Sequence, residues 1–444
     1  MFDKKNLLDG FMPKVCLKNA KFMPNATGRC CPILDGRICS GRGECQPVDL
    51  GRARTLLNPP TFDDRFDWPK RFFDFTCRCH GNYDGFDCSG CRIGHRGPHC
   101  EMKRVKRRTN IMKMNSKDLE IFRNVLKSSL NQTTDYLLPV EIDPDLSDPI
   151  TPQVKWREAD FHYFIVATHA YAGRKTLLAN NTACEEPHEP IHSHGTKCFL
   201  TWHRYYLMMW EESLSILAER LYNVTDFGVP YWDWIGAKEC EPCNNEMVGE
   251  IDPSGTIDKG SIFYNITELC GGLFENTKID CKTCEMLPGD RVITRKISET
   301  TFPTKKQFEF VLNRKKFYLI EDEYDVQCDS FAQALEGTCS YPGQQQRFFM
   351  HNHFHNIMKE TMKHTISSPN DPMFLIHHSQ VDRIFELWLK KNGYNETLFS
   401  LGYTSPGCDP TNNVIAFLPL VKHGDMFKNL SSYGIVFDND GFEV

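Results

Sequence analysis

Half of the chain's 20 cysteines fall within its first 100 residues, at Cys16, Cys30, Cys31, Cys39, Cys45, Cys77, Cys79, Cys88, Cys91 and Cys100. A segment with so much cysteine and so little apolar surface cannot be held by a large core. It must fold by cross-linking, which requires an oxidising compartment. Seven Asn-x-Ser/Thr sequons, at Asn25, Asn131, Asn180, Asn223, Asn265, Asn395 and Asn429, agree with passage through the secretory pathway. The start, Met1-Phe2-Asp3-Lys4-Lys5, has no apolar signal core, so the chain is expected to be a mature or trimmed form.

Within that segment the spacing Cys77-x-Cys79-x8-Cys88-x2-Cys91-x8-Cys100 encloses His80-Gly81-Asn82-Tyr83-Asp84-Gly85-Phe86 and resembles an epidermal-growth-factor-like module. Its cysteines are expected to hold loops and to carry no chemistry. The basic run Lys103-Arg104-Val105-Lys106-Arg107-Arg108 then reads as a solvated linker. A chain of 444 residues exceeds what one core usually holds, and the linker divides it into a cysteine-rich domain, 1–107, and a second domain, 108–444. A net charge of −6 gives no reason to expect nucleic acid as a partner. The apolar run Val414 to Val421 is interrupted by Pro419 and falls far short of the roughly 20 residues a membrane span needs, so no span is expected.

Four segments beyond the linker have helical spacing of apolar residues: 160–171, 203–222, 348–362 and 372–390. The last opens on Pro372 after an Asn370-Asp371 cap. The fold class expected is mainly α, a four-helix bundle with long loops around a dinuclear metal core, preceded by the small disulfide-rich domain. Histidine placement supplies the metal. His351 and His355 are four apart and share one helix face, and His378 sits near the start of the next helix. His169 near the end of one helix, His194 in a loop and His203 at the start of another make a second set. Two groups of three imidazoles suit copper, zinc or iron and disfavour magnesium or calcium. Six buried neutral imidazoles without a metal would need many other partners.

Three segments carry a family resemblance: Thr201-Trp202-His203-Arg204, Pro230-Tyr231-Trp232-Asp233-Trp234, and Asn370-Asp371-Pro372-Met373-Phe374-Leu375-Ile376-His377-His378. Together they resemble the signature segments of the tyrosinases, type-3 copper proteins. Because animal tyrosinases also carry an N-terminal cysteine-rich module, the resemblance spans essentially the whole chain. It implies that His169, His194 and His203 bind one copper and His351, His355 and His378 a second, with O2 as co-substrate. His192 and His353 are neighbours of the site. The implied reaction is ortho-hydroxylation of a monophenol such as tyrosine, then oxidation of the catechol (dopa) to an ortho-quinone, as in melanin synthesis. The implied compartment is extracellular or a melanosome-like lumen.

The phenol must lose a proton although its free pKa is ~10. Glu336, in Leu335-Glu336-Gly337, and Asn352, directly after a ligand, are the candidates for holding a water that assists. Thr365, Ser368, Phe374 and His377 are expected to line the substrate pocket, and Asp382 to orient a ligand through a hydrogen bond. The spacing of Thr365 and Ser368 resembles the tyrosinase-related proteins, which implies two zinc ions and a tautomerase or carboxyindole-oxidising activity as the alternative. His377-His378 instead matches true tyrosinases. A haemocyanin-like oxygen carrier would be a large repeat array, and no repeat exists here. A secreted binding module is the remaining alternative. Cys184 with Cys198, and Cys328 with Cys339, are expected to form local disulfides beside the pocket.

Overall fold

The computed structural model describes residues 12–19, 28–49, 61–62, 68–70, 72–143, 153–173, 177–178, 193–269, 291–297, 301–319, 328–342, 349–400 and 408–438. In the first hundred residues the organising links are covalent. Cys16–Cys30, Cys31–Cys45, Cys39–Cys77, Cys79–Cys88 and Cys91–Cys100 are bonded. Strand β1 (Gly43–Pro47) runs antiparallel to β2 (Phe75–Cys79) with Cys45 opposite Cys77. Among the described residues, the buried cluster separate from the main core is Cys39, Cys77 and Cys88, so cross-links stand in for a core there.

The basic run is not a solvated linker. Its residues Lys106–Arg108 form β3, whose side chains alternate as a strand requires: Lys106 and Arg108 are fully buried and Arg107 is exposed. The inward cations meet acids of the helical core. Lys106 pairs with Glu212, and Arg108 forks onto Glu211 at 2.8 and 2.9 Å and reaches Asp382 at 2.6 Å. Sequence patterning alone could not distinguish charges awaiting buried partners from charges facing water.

Beyond β3, the helix α1 (Ser116–Ser129) is capped by Asn115, and strands β4 (Thr133–Asp143) and β5 (Gln153–Asp160) form an antiparallel pair. This pair leads into α2 (Phe161–Gly173), where the Asp160 carboxylate accepts the Tyr163 amide at 2.8 Å. Nearly every residue of α2 is buried, as befits a helix that is apolar all round. Further helices include α3 (Phe199–Tyr222), α4 (Lys305–Leu312, with a Thr304/Gln307 capping box), α5 (Phe331–Glu336), α6 (Met350–Met358) and α7 (Pro372–Asn392). Near the chain's end β6 (Ile435–Phe437) pairs in parallel with β3, Arg108 facing Phe437.

Three local differences from the sequence expectation have physical causes. Helix α3 starts one turn earlier than His203, pinned by a Cys198–Cys408 disulfide just before it. That bond also corrects the expected Cys184–Cys198 pairing, and Cys184 lies outside the described residues. Cys328–Cys339 is bonded as expected. The segment 348–362 is not one helix: the chain breaks at Lys359 and Glu360, both at positive φ, and turns back.

Helix α5 ends at Gly337, φ 83°, where any Cβ would lie 1.9 Å from the Phe349 carbonyl oxygen. Asn131, Asn223, Asn265, Asn395 and Asn429 are exposed, while Asn25 and Asn180 fall outside the described residues. Among the described residues no helix is long and apolar enough to cross a membrane.

Candidate metal centre

The helices place two groups of histidines side by side. Helix α2 supplies His169, α3 supplies His203 from its second turn, and the loop before α3 supplies His194. His169 Nε2 lies 3.3 Å from His203 Nε2, and the His194 ring sits edge-on to both, with centroids 4.9 and 4.8 Å away. In the second group His351 Nε2 is 3.1 Å from His355 Nε2, one turn along α6, and 3.3 Å from His378 Nε2 on α7. The groups touch through His203 and His378, whose rings stack at 4.6 Å.

The partners of the outer nitrogens fix which nitrogen is free. His203 Nδ1 bonds the Phe199 carbonyl at 2.9 Å, and His355 Nδ1 bonds that of Met362 at 2.5 Å. A carbonyl only accepts, so each Nδ1 carries the hydrogen and each Nε2 is left with a lone pair. The chain reversal after α6 is what brings Met362 back to His355. His351 Nδ1 faces Asn352 Oδ1 at 3.0 Å, and the Asn352 amide nitrogen donates to Gly337 O at 3.3 Å, which orients that amide with its oxygen on the histidine. His351 and His355 therefore aim two lone pairs at each other across 3.1 Å, an arrangement that repels unless a cation lies between them.

Burial holds these rings neutral. It lowers the pKa of His203 to about 3 and of His355 to about 4, and drives those of His169, His194, His351 and His378 well below the ordinary value, with neighbouring imidazoles adding to the effect. Neutral, buried, convergent imidazoles are the donor set of a soft-to-borderline transition metal, and the residues fit a pair of such ions.

The surrounding residues are placed as follows. Phe374 stacks on His378 at 4.0 Å and meets the His169 ring edge-on at 5.3 Å, bridging the two groups. Asp371 caps α7 by accepting the Met373 amide at 2.8 Å. The fully buried Arg295 grips that carboxylate through two bonds of 2.6 Å, so the start of the helix carrying His378 is fixed. Glu336 is buried beside the first group, accepting the Gly195 amide at 2.6 Å, and burial raises its pKa to about 8 against that hydrogen bond. Asn352, expected to help hold a water, has its amide engaged on His351 and Gly337. Thr365 is exposed. Ser368 is buried and gives its hydroxyl to the Thr365 carbonyl at 3.3 Å.

Two expectations are corrected. Asp382 does not orient a histidine: its oxygens lie 2.6 Å from Arg108 and 2.6 Å from Arg204, because it is the anion between two buried guanidinium groups. His377 is not on an open pocket wall. It is fully buried, stacked on Phe354 at 3.9 Å and lying parallel to His351 at 5.1 Å. His353 turns its Nε2 to the Thr301 carbonyl at 2.8 Å, and His192 lies outside the described residues.

Sequence reasoning missed Phe199, which packs 4.8 Å from both His203 and His351 and offers its carbonyl to the former. The signal was its position four residues before a ligand on the same helix. It also missed Ser193, whose hydroxyl is 2.8 Å from His194 Nδ1, because nothing in a loop sequence announces such a contact.

The family model for the common central domain of tyrosinase matches residues 159–391, just over half of the chain and all six convergent histidines. A tyrosinase of Felis catus is 29% identical over 448 residues, covering 97% of this chain and 82% of its own. A 5,6-dihydroxyindole-2-carboxylic acid oxidase of Gallus gallus is 27% identical, covering 90% and 78%. Among solved structures, a polyphenol oxidase from Thermothelomyces thermophila is 15% identical and covers 75% of this chain and 88% of its own, with a TM-score of 0.49.

Proposed function

The chain belongs to the tyrosinase family of type-3 copper proteins, and from that premise we propose that it ortho-hydroxylates monophenols and oxidises catechols to ortho-quinones with O2. His169, His194 and His203 hold one copper, and His351, His355 and His378 the other. The observation that carries this reading is the pair of lone-pair nitrogens, on His351 and His355, facing each other at 3.1 Å beside a second group of the same kind. When bound, the copper pair supplies the two-electron exchange with O2 that phenol oxidation needs.

The chain's own residues provide the rest. The carbonyls of Phe199 and Met362 and the amide of Asn352 fix the tautomers of three ligands, so that each Nε2 faces inward. Phe374 lays an apolar face against His378 and keeps that wall dry. Glu336, with its pKa near 8, takes the phenol's hydroxyl proton: a carboxylate with an ordinary pKa would be too weak a base for a group with a free pKa of ~10. Its acceptor oxygen is kept in place by the Gly195 amide, next to His194. The disulfides and exposed sequons support an oxidising lumen, extracellular or melanosome-like, as the working compartment.

Copper-loaded protein assayed on L-tyrosine and L-dopa tests the proposal: quinone should form from both, the monophenol after a lag. Oxidation of neither by protein carrying two coppers would exclude it. Activity found only with a dihydroxyindole carboxylic acid would assign the chain to the related oxidases.

A further inference from the structure

Between the cysteine-rich region and the helical core lies a cavity of about 500 Å³. Its walls come from β1, β2 and the loop after β2 on one side, and from α3 and the segment 413–433 on the other. Tyr205 of α3 lines it, two positions beyond His203. A helix turns about 200° over two residues, so the cavity lies on the opposite face of α3 from that histidine. The metal chemistry does not use it. Its volume is within the roughly 300–1,000 Å³ of small-molecule sites, which favour junctions between folded units.

The floor of the cavity is apolar. Met208 and Met426 are fully buried there, with Tyr205 and Ile93 beside them. Thioethers next to a phenol ring suit a flat aromatic body. The rim is charged, and part of that charge is already matched: Lys422 pairs with Asp49 at 3.3 Å and Lys428 with Asp425 at 2.6 Å. Arg78 and Arg92 then stand against Asp84, which leaves one positive charge in excess. Arg92 attracts the Asp84 carboxylate, yet the two form no ion pair among the described residues, and burial raises the pKa of Asp84 above its ordinary value.

Asn413, another lining residue, adds a demand of the opposite kind. It is 5% exposed, and its Nδ2 donates to the Asp49 carbonyl at 3.0 Å, which fixes the amide. Its Oδ1 is left with no hydrogen-bond partner. A buried amide oxygen without a partner is costly, and only a donor relieves it. A simple carboxylate would answer the excess positive charge and leave this acceptor unmet. We propose that the junction binds an aromatic α-amino acid, its carboxylate on Arg78 and Arg92, its ammonium on Asn413 Oδ1 and Asp84, and its ring against Met208 and Met426. Bound there, the molecule bridges the cysteine-rich region and α3, the helix that carries His203.

L-Phenylalanine is the probe, because it has no phenolic hydroxyl to be oxidised. In full-length protein labelled with 13C-methyl methionine, the Met208 and Met426 signals should move on one saturation curve, half-complete at or below about 1 mM. Met350 and Met362, next to His351 and bonded to His355, should stay still. 3-Phenylpropionate lacks the ammonium and 2-phenylethylamine lacks the carboxylate, so each should bind about tenfold more weakly. Arg92→Gln, at an exposed position, and Asn413→Leu should weaken phenylalanine by a similar factor. Met208 and Met426 signals that stay still up to ~10 mM overturn the proposal, as does movement confined to Met350 and Met362. An analogue lacking one pole that binds as tightly as the amino acid, or unchanged affinity in both variants, overturns it too. If Asn413→Leu does not fold, the analogue series on wild-type protein decides alone.

Discussion

His351 and His355 share a single helix, one turn apart, and His378 faces them from the next helix, whereas His169, His194 and His203 come from two helices and the loop before the second. The second group is thus pre-set by two rigid rods, the start of one of them held where Arg295 grips the Asp371 cap. The first depends on how a loop enters α3, which in turn depends on the Cys198–Cys408 link and on Glu336 accepting the Gly195 amide. One group is positioned by helix geometry and the other by cross-links and a single carboxylate. Perturbations should therefore separate them.

Removing a ligand is the largest test. His203→Ala and His351→Ala should each lower catechol oxidation by on the order of a thousandfold, about 4 kcal/mol of barrier. Each should leave one bound ion by elemental analysis, and the ion lost should be the one on the mutated side. Two ions retained in either variant would show that the groups do not divide the metals as argued.

Next in size is the charge network that both groups share. Arg204 follows His203 and binds Asp382, one turn beyond His378, so one ion pair ties the two ligand-bearing helices together. Arg108, from the segment between the cysteine-rich region and the core, binds the same carboxylate and Glu211 of α3. Breaking a buried pair strands a charge, so Arg204→Met should destabilise the fold by about 3–5 kcal/mol and loosen both ions together. Chemical denaturation and metal retention check this; loss of one ion alone would mean that the helices are not coupled through Asp382.

These contacts also show what a reader of the sequence can and cannot recover. The i,i+4 pair at His351 and His355 and the Asn370-Asp371-Pro372 helix start are local patterns, and the fold keeps both. Arg104, Lys106 and Arg108 look like linker charges because their partners Glu211, Glu212, Glu219 and Asp382 lie more than a hundred residues away. Asp382 was read through its neighbour four residues back, yet its partners are two arginines from other elements. His377 draws notice in the sequence because the pair His377-His378 matches true tyrosinases. Its burial against Phe354 becomes visible only once α6 and α7 are packed. Local period is legible in a sequence, whereas the far partner of a buried charge is not.

The disulfide next to the first group gives a smaller, one-sided effect. Cys198→Ser with Cys408→Ser removes a link between residues 210 apart and should cost about 2–4 kcal/mol. Because the bond anchors the start of α3, metal affinity should fall at the first site and hold at the second. Equal weakening of both, in chelator titrations of the double variant, would deny that the loop-borne group depends on it.

The smallest effect is a pH dependence confined to the first group's carboxylate. Burial raises the Glu336 pKa from 4.5 to about 8, so the folded state keeps a proton that the unfolded state has lost over that interval. At this group the unfolded chain binds fewer protons, so its contribution to the stability of the metal-free protein should decline as pH rises from about 4.5 to about 8 and level off above, while the buried histidines, with their lowered pKa values, act in the opposite direction below about pH 6.5. Glu336→Gln keeps an oxygen for the Gly195 amide but cannot ionise, so it should remove this contribution and exceed wild type in stability near pH 8. Its phenol oxidation should fall at the same time, because the proton acceptor is gone. Parallel melting curves for variant and wild type across that range would place the titrating group elsewhere, and the first histidine group would then owe its order to the disulfide alone.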